Sequence, residues 1–115
     1  MNEPPPDVRF QRRAFVELDA ETLHEILRLR GEVFVVEQKI HQENDLDGRD
    51  PEAVHVLGRT PDGQLVATAR MLQDDSPIEV GRIVVREDVR GRGIGSALMD
   101  YICLLYTSPS PRDHS

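Results

Sequence analysis

Val80-Gly81-Arg82-Ile83-Val84-Val85, followed after Arg86-Glu87-Asp88 by Val89-Arg90-Gly91-Arg92-Gly93-Ile94-Gly95-Ser96-Ala97-Leu98-Met99, decides the reading of this chain. The first run is apolar and β-branched, the pattern of a buried strand. The second starts with basic residues and glycines and passes into apolar positions at helical spacing, so a helix begins near Ile94. The first backbone N–H groups of a helix have no internal acceptor, and the macrodipole puts partial positive charge among them. Gly91, Gly93 and Gly95 let the main chain turn sharply and lie close to a ligand. Strand, glycine-rich loop and helix start together form an anion site suited to phosphate or pyrophosphate. A plain turn made by the same glycines is the rival reading.

Two phosphate-loop classes are excluded by spacing. In the dinucleotide pattern G-x-G-x-x-G the third glycine would fall one residue later, and an acidic strand end would follow. The nucleoside triphosphate loop needs a lysine after its last glycine, and the sole lysine is Lys39.

Arg90, Gly93 and Gly95 are spaced as in the acetyl-CoA pyrophosphate loop of the GNAT superfamily of N-acetyltransferases, which this segment resembles. A second block lies far from it: Leu27-Arg28-Leu29-Arg30-Gly31-Glu32-Val33-Phe34-Val35-Val36-Glu37-Gln38, then Asp45-Leu46-Asp47-Gly48-Arg49-Asp50, then His55-Val56-Leu57-Gly58. It resembles the ElaA-like branch of the same superfamily, and the likeness covers about residues 8 to 102.

The resemblance implies a mixed α/β fold in which acetyl-CoA lies in an opening between the fourth and fifth strands. It implies direct transfer of the acetyl group to an amine within a ternary complex, without a metal. By the same resemblance the backbone of Ile83, Val84 and Val85 receives the pantetheine arm, one N–H facing the thioester oxygen. The loop Arg90, Gly91, Arg92, Gly93, Ile94, Gly95 and Ser96 would hold the pyrophosphate, the two arginine side chains adding charge-assisted contacts. Glu79, early on the strand, would be the general base, directly or through a water. The acceptor would be a small-molecule or peptide amine, and a homodimer is open to the chain. A non-catalytic CoA or phosphate-binding module is the alternative function. The resemblance also implies a domain that continues past the last helix with a further strand, a helix and a hairpin.

Composition agrees with this class. The length of 115 residues suits one domain, and 38% hydrophobic residues with five aromatics indicate an aliphatic core. A net charge of −7 argues against general nucleic-acid binding, which needs a positive field. Arg82, Arg86, Arg90 and Arg92 nevertheless cluster around the loop, which suits a small, highly charged anion. No apolar run approaches a membrane span, and Met1 to Asp7 has neither a basic start nor an apolar signal core, so a cytoplasmic location is expected. The single cysteine, Cys103, rules out an internal disulfide.

Along the chain, residues 1–7 read as a Pro-rich lead-in, 8–102 as a partial N-acetyltransferase domain and 103–115 as a non-native tail. Cys103 to Asp113 resembles, residue for residue, a translated transposase adapter, so the genuine sequence is expected to stop near Ile102. A natural Ser/Pro-rich tail is the rival. Val8 to Leu18 reads as a strand, and Asp19 caps a helix that ends near Gln38. Residues 39–51 form a polar loop. Strands 53–59 and 64–72 flank the hairpin turn Thr60-Pro61-Asp62-Gly63, and a turn at 73–77 leads to strand 78–86. The order is β-α-β-β-β-α, and the helix from Ile94 is expected to break at Cys103 because prolines follow.

Four further readings stay open on sequence. Alternation places Arg82 on the face of Val80 and Val84, as a site residue or a partner of Glu79. His55 is an alternative base or a hydrogen-bonded structural residue. Glu37, Glu43, Asp45, Asp47 and Asp50 line the acceptor side or form a solvated acidic loop. A calcium loop at Asp45–Asp50 is discounted, because the twelve-residue spacing and closing glutamate are missing. Tyr101 and Tyr106 are not assigned as general acid.

Overall fold

The computed structural model describes residues 7–41, 45–72 and 78–107. Most of the lead-in, Glu43, the 73–77 turn and the end of the tail lie outside the described residues.

Four strands, β1 (Arg9–Ala14), β2 (Val54–Arg59), β3 (Leu65–Leu72) and β4 (Glu79–Val85), pair antiparallel in the order β1-β2-β3-β4. Among the described residues two helices cover the sheet: α1 (Ala20–Arg30) after β1 and α2 (Ile94–Thr107) after β4. The element order expected from sequence, β-α-β-β-β-α, is the one observed.

The sheet separates two apolar clusters, by strand alternation except where the β2–β3 ladder shifts and sends Leu65 and Ala67 to opposite sides. Val56, Ala67, Ala69 and Met71 meet Ile94, Leu98 and Ile102 of α2. Leu57, Leu65 and Val84 meet Ile26, Leu29 and Val33 on the α1 side. Ile94, Leu98 and Ile102 stand at i, i+4 and i+8, one stripe of α2, so this helix is fixed to the sheet from its first residue onward.

Local signals account for most boundaries. Asp19 accepts a hydrogen bond from the Thr22 amide at 2.8 Å and caps α1. The hairpin closes as expected: Gly63 is left-handed at φ +89°, and its amide donates to the Thr60 carbonyl at 2.8 Å.

Three expectations are corrected. The first strand ends at Ala14, and Phe15–Glu17 tightens into a 3-10 turn. The first helix does extend to Glu37, but from Gly31 it widens into a π-helical turn in which the Gln38 amide reaches back to the Val33 carbonyl at 2.9 Å. A glycine followed by Val33, Val35 and Val36 weakens α-helical winding at that point. The last helix does not break at Cys103 but runs to Thr107, and Leu105 still packs on the core.

Candidate functional site

The glycine loop is built as an anion cradle. A 3-10 turn at Glu87–Val89 ends β4, and Gly91 and Gly93 are left-handed at φ +82° and +83°. A Cβ at either would meet no atom within 4 Å, so glycine is required by backbone conformation and the space above it is open. The first bond of α2 runs from the Ala97 amide to the Gly93 carbonyl at 3.0 Å. The amides of Ile94, Gly95 and Ser96 therefore precede any intrahelical acceptor and are the donors a phosphate would use. Buried Ile94 anchors this donor set while Gly93 and Ser96 on either side stay exposed.

β4 supplies a second feature, an open edge. It is the last strand in the sheet order, so among the described residues no strand pairs its outer side. Its inner ladder is irregular: Arg70 faces Gly81 and Thr68 faces Val84, so Arg82 and Ile83 together oppose Ala69. This is a β-bulge, and it inverts the alternation beyond it. Val80 packs with the α2 cluster, while Val84 sits in the α1 cluster. The expectation that Arg82 shares one face with both valines is thereby corrected. Arg82 takes the left-handed position of the bulge at φ +51°, which costs a non-glycine residue about 1–2 kcal/mol.

Arg82 is not paired with Glu79 but with the loop after α1. Its Nε lies 3.1 Å from the Asp45 carboxylate, and its Nη2 donates to Asp47 at 3.2 Å and to the Asp45 carbonyl at 3.3 Å. Two further arginines converge there from beneath. Arg30, 1% exposed, donates to Asp45 at 3.2 Å, to Asp50 at 2.8 Å and to the Asp45 carbonyl at 2.8 Å. Arg70, 4% exposed, donates to Asp50 at 3.0 Å and to both oxygens of Asp47.

Three aspartates are thus held by three arginines, from α1, β3 and β4. The Arg70 hydrogen bonds hold the Asp47 carboxyl far below the carboxylate range, and Asp47 in turn raises Arg70. At Asp50 burial works toward a higher value, but Arg30 and Arg70 outweigh it and the net direction is down. These carboxylates serve the fold and are not free to attract a cationic acceptor, which corrects the acidic-lining expectation for them. His55 belongs to the same cluster. It is 1% exposed, its Nε2 is 3.0 Å from the Asp50 carbonyl, and burial pushes its imidazole down. It is a hydrogen-bonded structural residue.

Arg90 is also engaged within the protein. Its guanidinium makes a two-pronged contact with Glu37 at 2.7 and 2.8 Å, and its Nε donates to the Val85 carbonyl at 2.8 Å. The Arg90 hydrogen bonds hold the Glu37 carboxyl below its usual range. The π-helical turn carries Glu37 to this point, and a groove of about 400 Å³ opens beside the pair, lined by Leu29, Val33, Val36 and Arg86 among others. Arg92 is exposed on the loop. Glu79, 65% exposed, starts β4 opposite Leu72, with Arg49 Nη1 at 3.9 Å from its carboxylate. It stands apart from the loop, four residues before Ile83 or roughly 13 Å of strand.

The buried arginines were not recognised from sequence. The signal was present: Arg30 lies on the apolar stripe of α1, and Arg70 is the one charged residue of the strand Leu65–Leu72. A cation in such a place needs a carboxylate partner, and Asp45-Leu46-Asp47-Gly48-Arg49-Asp50 was there to supply it.

The acetyltransferase (GNAT) family matches residues 20–105. Protein ElaA of Escherichia coli is 42% identical over 88 residues, covering 72% of this chain and 56% of that protein. A UPF0039 protein of Schizosaccharomyces pombe is 37% identical over 94 residues, covering 81% of this chain and 62% of that protein. The chain therefore spans little more than half the length of these curated relatives. The crystal structure of Escherichia coli ElaA superposes with a TM-score of 0.81 at 36% identity, over 91% of this chain and 73% of that one. An acyl-CoA N-acyltransferase from Pseudomonas aeruginosa gives 0.73 at 32% identity, over 84% and 68%. Sequence, fold and relatives agree that the chain belongs to the acetyltransferase (GNAT) family, in its ElaA-like branch.

Proposed function

We propose that this chain carries the carrier-binding part of an N-acetyltransferase that moves an acetyl group from acetyl-CoA to an amine in a ternary complex. The observation that carries the reading is the succession of two main-chain surfaces: the outer edge of β4, which no strand pairs among the described residues, and the amides that open α2 after it. An extended arm bearing amides and ending in a diphosphate matches both.

In this reading the amides of Ile94, Gly95 and Ser96 hold the diphosphate, with Gly91 and Gly93 allowing its close approach and Arg92 adding positive charge. The outward main chain of Ile83 pairs with the arm, whereas Val84, whose N–H and C=O turn inward to Thr68, borders it. Val85 contributes less, because its carbonyl already accepts from Arg90. Acetyl-CoA supplies an acyl group activated for attack by an amine. A backbone N–H at the bulge would stabilise the negative charge that develops on the carbonyl oxygen. Glu79 would take the amine proton, and its distance from Ile83 requires a water path. No residue here is assigned to protonate the departing thiolate, and no metal is invoked. The acceptor is a small-molecule or peptide amine, the location cytoplasmic, and a homodimer is compatible with the reading.

The test is titration of the isotope-labelled chain with acetyl-CoA, read by amide chemical shifts. Saturable shifts at Gly91, Gly93, Gly95, Ser96 and along Ile83–Val84 are expected, with pyrophosphate competing for the loop subset. Absence of saturable shifts at the loop would overturn the proposal. The alternative, a CoA-binding module without chemistry, predicts the same shifts with no turnover at any amine concentration.

A further inference from the structure

Arg82 holds a backbone conformation that the neighbouring glycine does not. Gly81 stands beside it, yet the left-handed turn of the bulge falls on the arginine. The side chain explains the choice. Its guanidinium reaches Asp45 at 3.1 Å and Asp47 at 3.2 Å, and both carboxylates are themselves fixed by arginines that are almost wholly buried. The anchor is therefore rigid, and residue 82 is pulled toward it from β4. At the other end of the same stretch Arg90 grips Glu37 and the Val85 carbonyl. The segment that follows α1 thus clasps β4 on both sides of Ile83 and Val84.

We propose that Arg82 is a positioning residue: its ion pairs with Asp45 and Asp47 stabilise the left-handed turn at 82, and through the bulge they aim the main chain of Ile83 at the acyl carrier while Val84 stays bonded to Thr68. The inference rests on the carrier reading of that backbone given above. It also ties the loop after α1 to the carrier strand, so a disturbance at Asp47 reaches Ile83 through Arg82.

The experiment compares the unaltered chain with Arg82→Ala, Arg82→Gly and Arg82→Lys, each titrated with acetyl-CoA and, separately, with inorganic pyrophosphate, and read by amide shifts. In Arg82→Ala the affinity for acetyl-CoA is expected to fall by about tenfold or more and the Ile83–Val84 shifts to vanish. The pyrophosphate response at Gly91–Ser96 is expected to stay within about twofold, a split that general loss of structure would not produce. Arg82→Gly permits the turn without the tether and is expected to be impaired as well. If it matches the unaltered chain, the tether is unnecessary and the proposal fails. Should Arg82→Ala not fold, Arg82→Lys decides, since it keeps the charge but cannot bridge both aspartates; full acetyl-CoA affinity in that variant overturns the proposal. If the unaltered chain itself shows no response to acetyl-CoA, the carrier reading has failed and not the role of Arg82.

Discussion

Val80 and Val84 lie on the same strand, four residues apart, and pack on opposite faces of the sheet. One extra residue in the ladder between them is sufficient, because the side-chain period of a strand is two. The bulge lets Arg82 leave the strand for Asp45 and Asp47 while Val84 still reaches the α1 cluster. Everything assigned to the second half of β4 depends on that shift.

The buried cluster predicts a sharp contrast between arginines. Arg30→Ala leaves Asp45 and Asp50 without one of their cations, and breaking a buried pair costs about 3–5 kcal/mol. Arg59→Ala breaks a half-exposed pair with Glu25 and should cost no more than about 1 kcal/mol. Urea unfolding midpoints of the two variants, measured side by side, check this; equal midpoints would mean that the cluster does not stabilise the fold.

Stability should fall with acid in two stages. His55 has its folded value below its unfolded 6.5, chiefly through burial, so the unfolded chain binds the proton more readily. The stability that its neutral form contributes is complete above pH 6.5 and declines as the pH drops toward the folded value. Asp47 and Asp50, both lowered from 3.8, contribute stability that is complete above that value and is lost as the pH falls further. A urea midpoint measured against pH should show both declines, and His55→Gln should remove the upper one alone.

Much of this was legible in the sequence, and the exceptions have physical causes. The strand, loop and helix start at 80–99 could be read because glycine spacing and apolar periodicity are local signals. Asp19 as cap and Gly63 as turn residue follow for the same reason. The bulge at Arg82 could not be read, since an arginine in a left-handed conformation has no sequence signature and is stabilised by partners 35 and 37 positions away. The exchange of roles in the acidic loop had the same origin: Asp45, Asp47 and Asp50 look like solvated charges until α1 and β3 bring Arg30 and Arg70 beneath them. The contact that the end of the π-helical turn makes, Glu37 with Arg90, spans 53 residues and had no local signal either.

The three loop glycines should respond differently to a methyl group. Gly91→Ala and Gly93→Ala each force an L-residue into the left-handed region and should cost about 1–2 kcal/mol. Their amide responses to acetyl-CoA should be lost. At Gly95 the conformation is ordinary and a Cβ would lie 3.8 Å from Val85 Cγ2, a normal contact, so Gly95→Ala should bind as before and gain up to about 1 kcal/mol from helix propensity. Thermal melts and the shift titration together test the set. Equal tolerance at 93 and 95 would contradict it.

Glu79→Gln isolates the proposed base. The side chain is exposed, so folding and acetyl-CoA binding should not change. Turnover, followed as thiol release with a panel of primary amines in a preparation that consumes acetyl-CoA, should drop by about a hundredfold or more. Unaltered turnover would remove Glu79 from the mechanism.

Ile94 is both the first residue of α2 and part of the hydrophobic core, 4% exposed. Its own amide and those of Gly95 and Ser96 are consequently immobilised by packing before any anion arrives. Binding at this loop would then resemble a key entering a finished lock, with little ordering entropy to overcome and a fast association rate, and its affinity would be set by how well the visitor fits rather than by how far the protein bends.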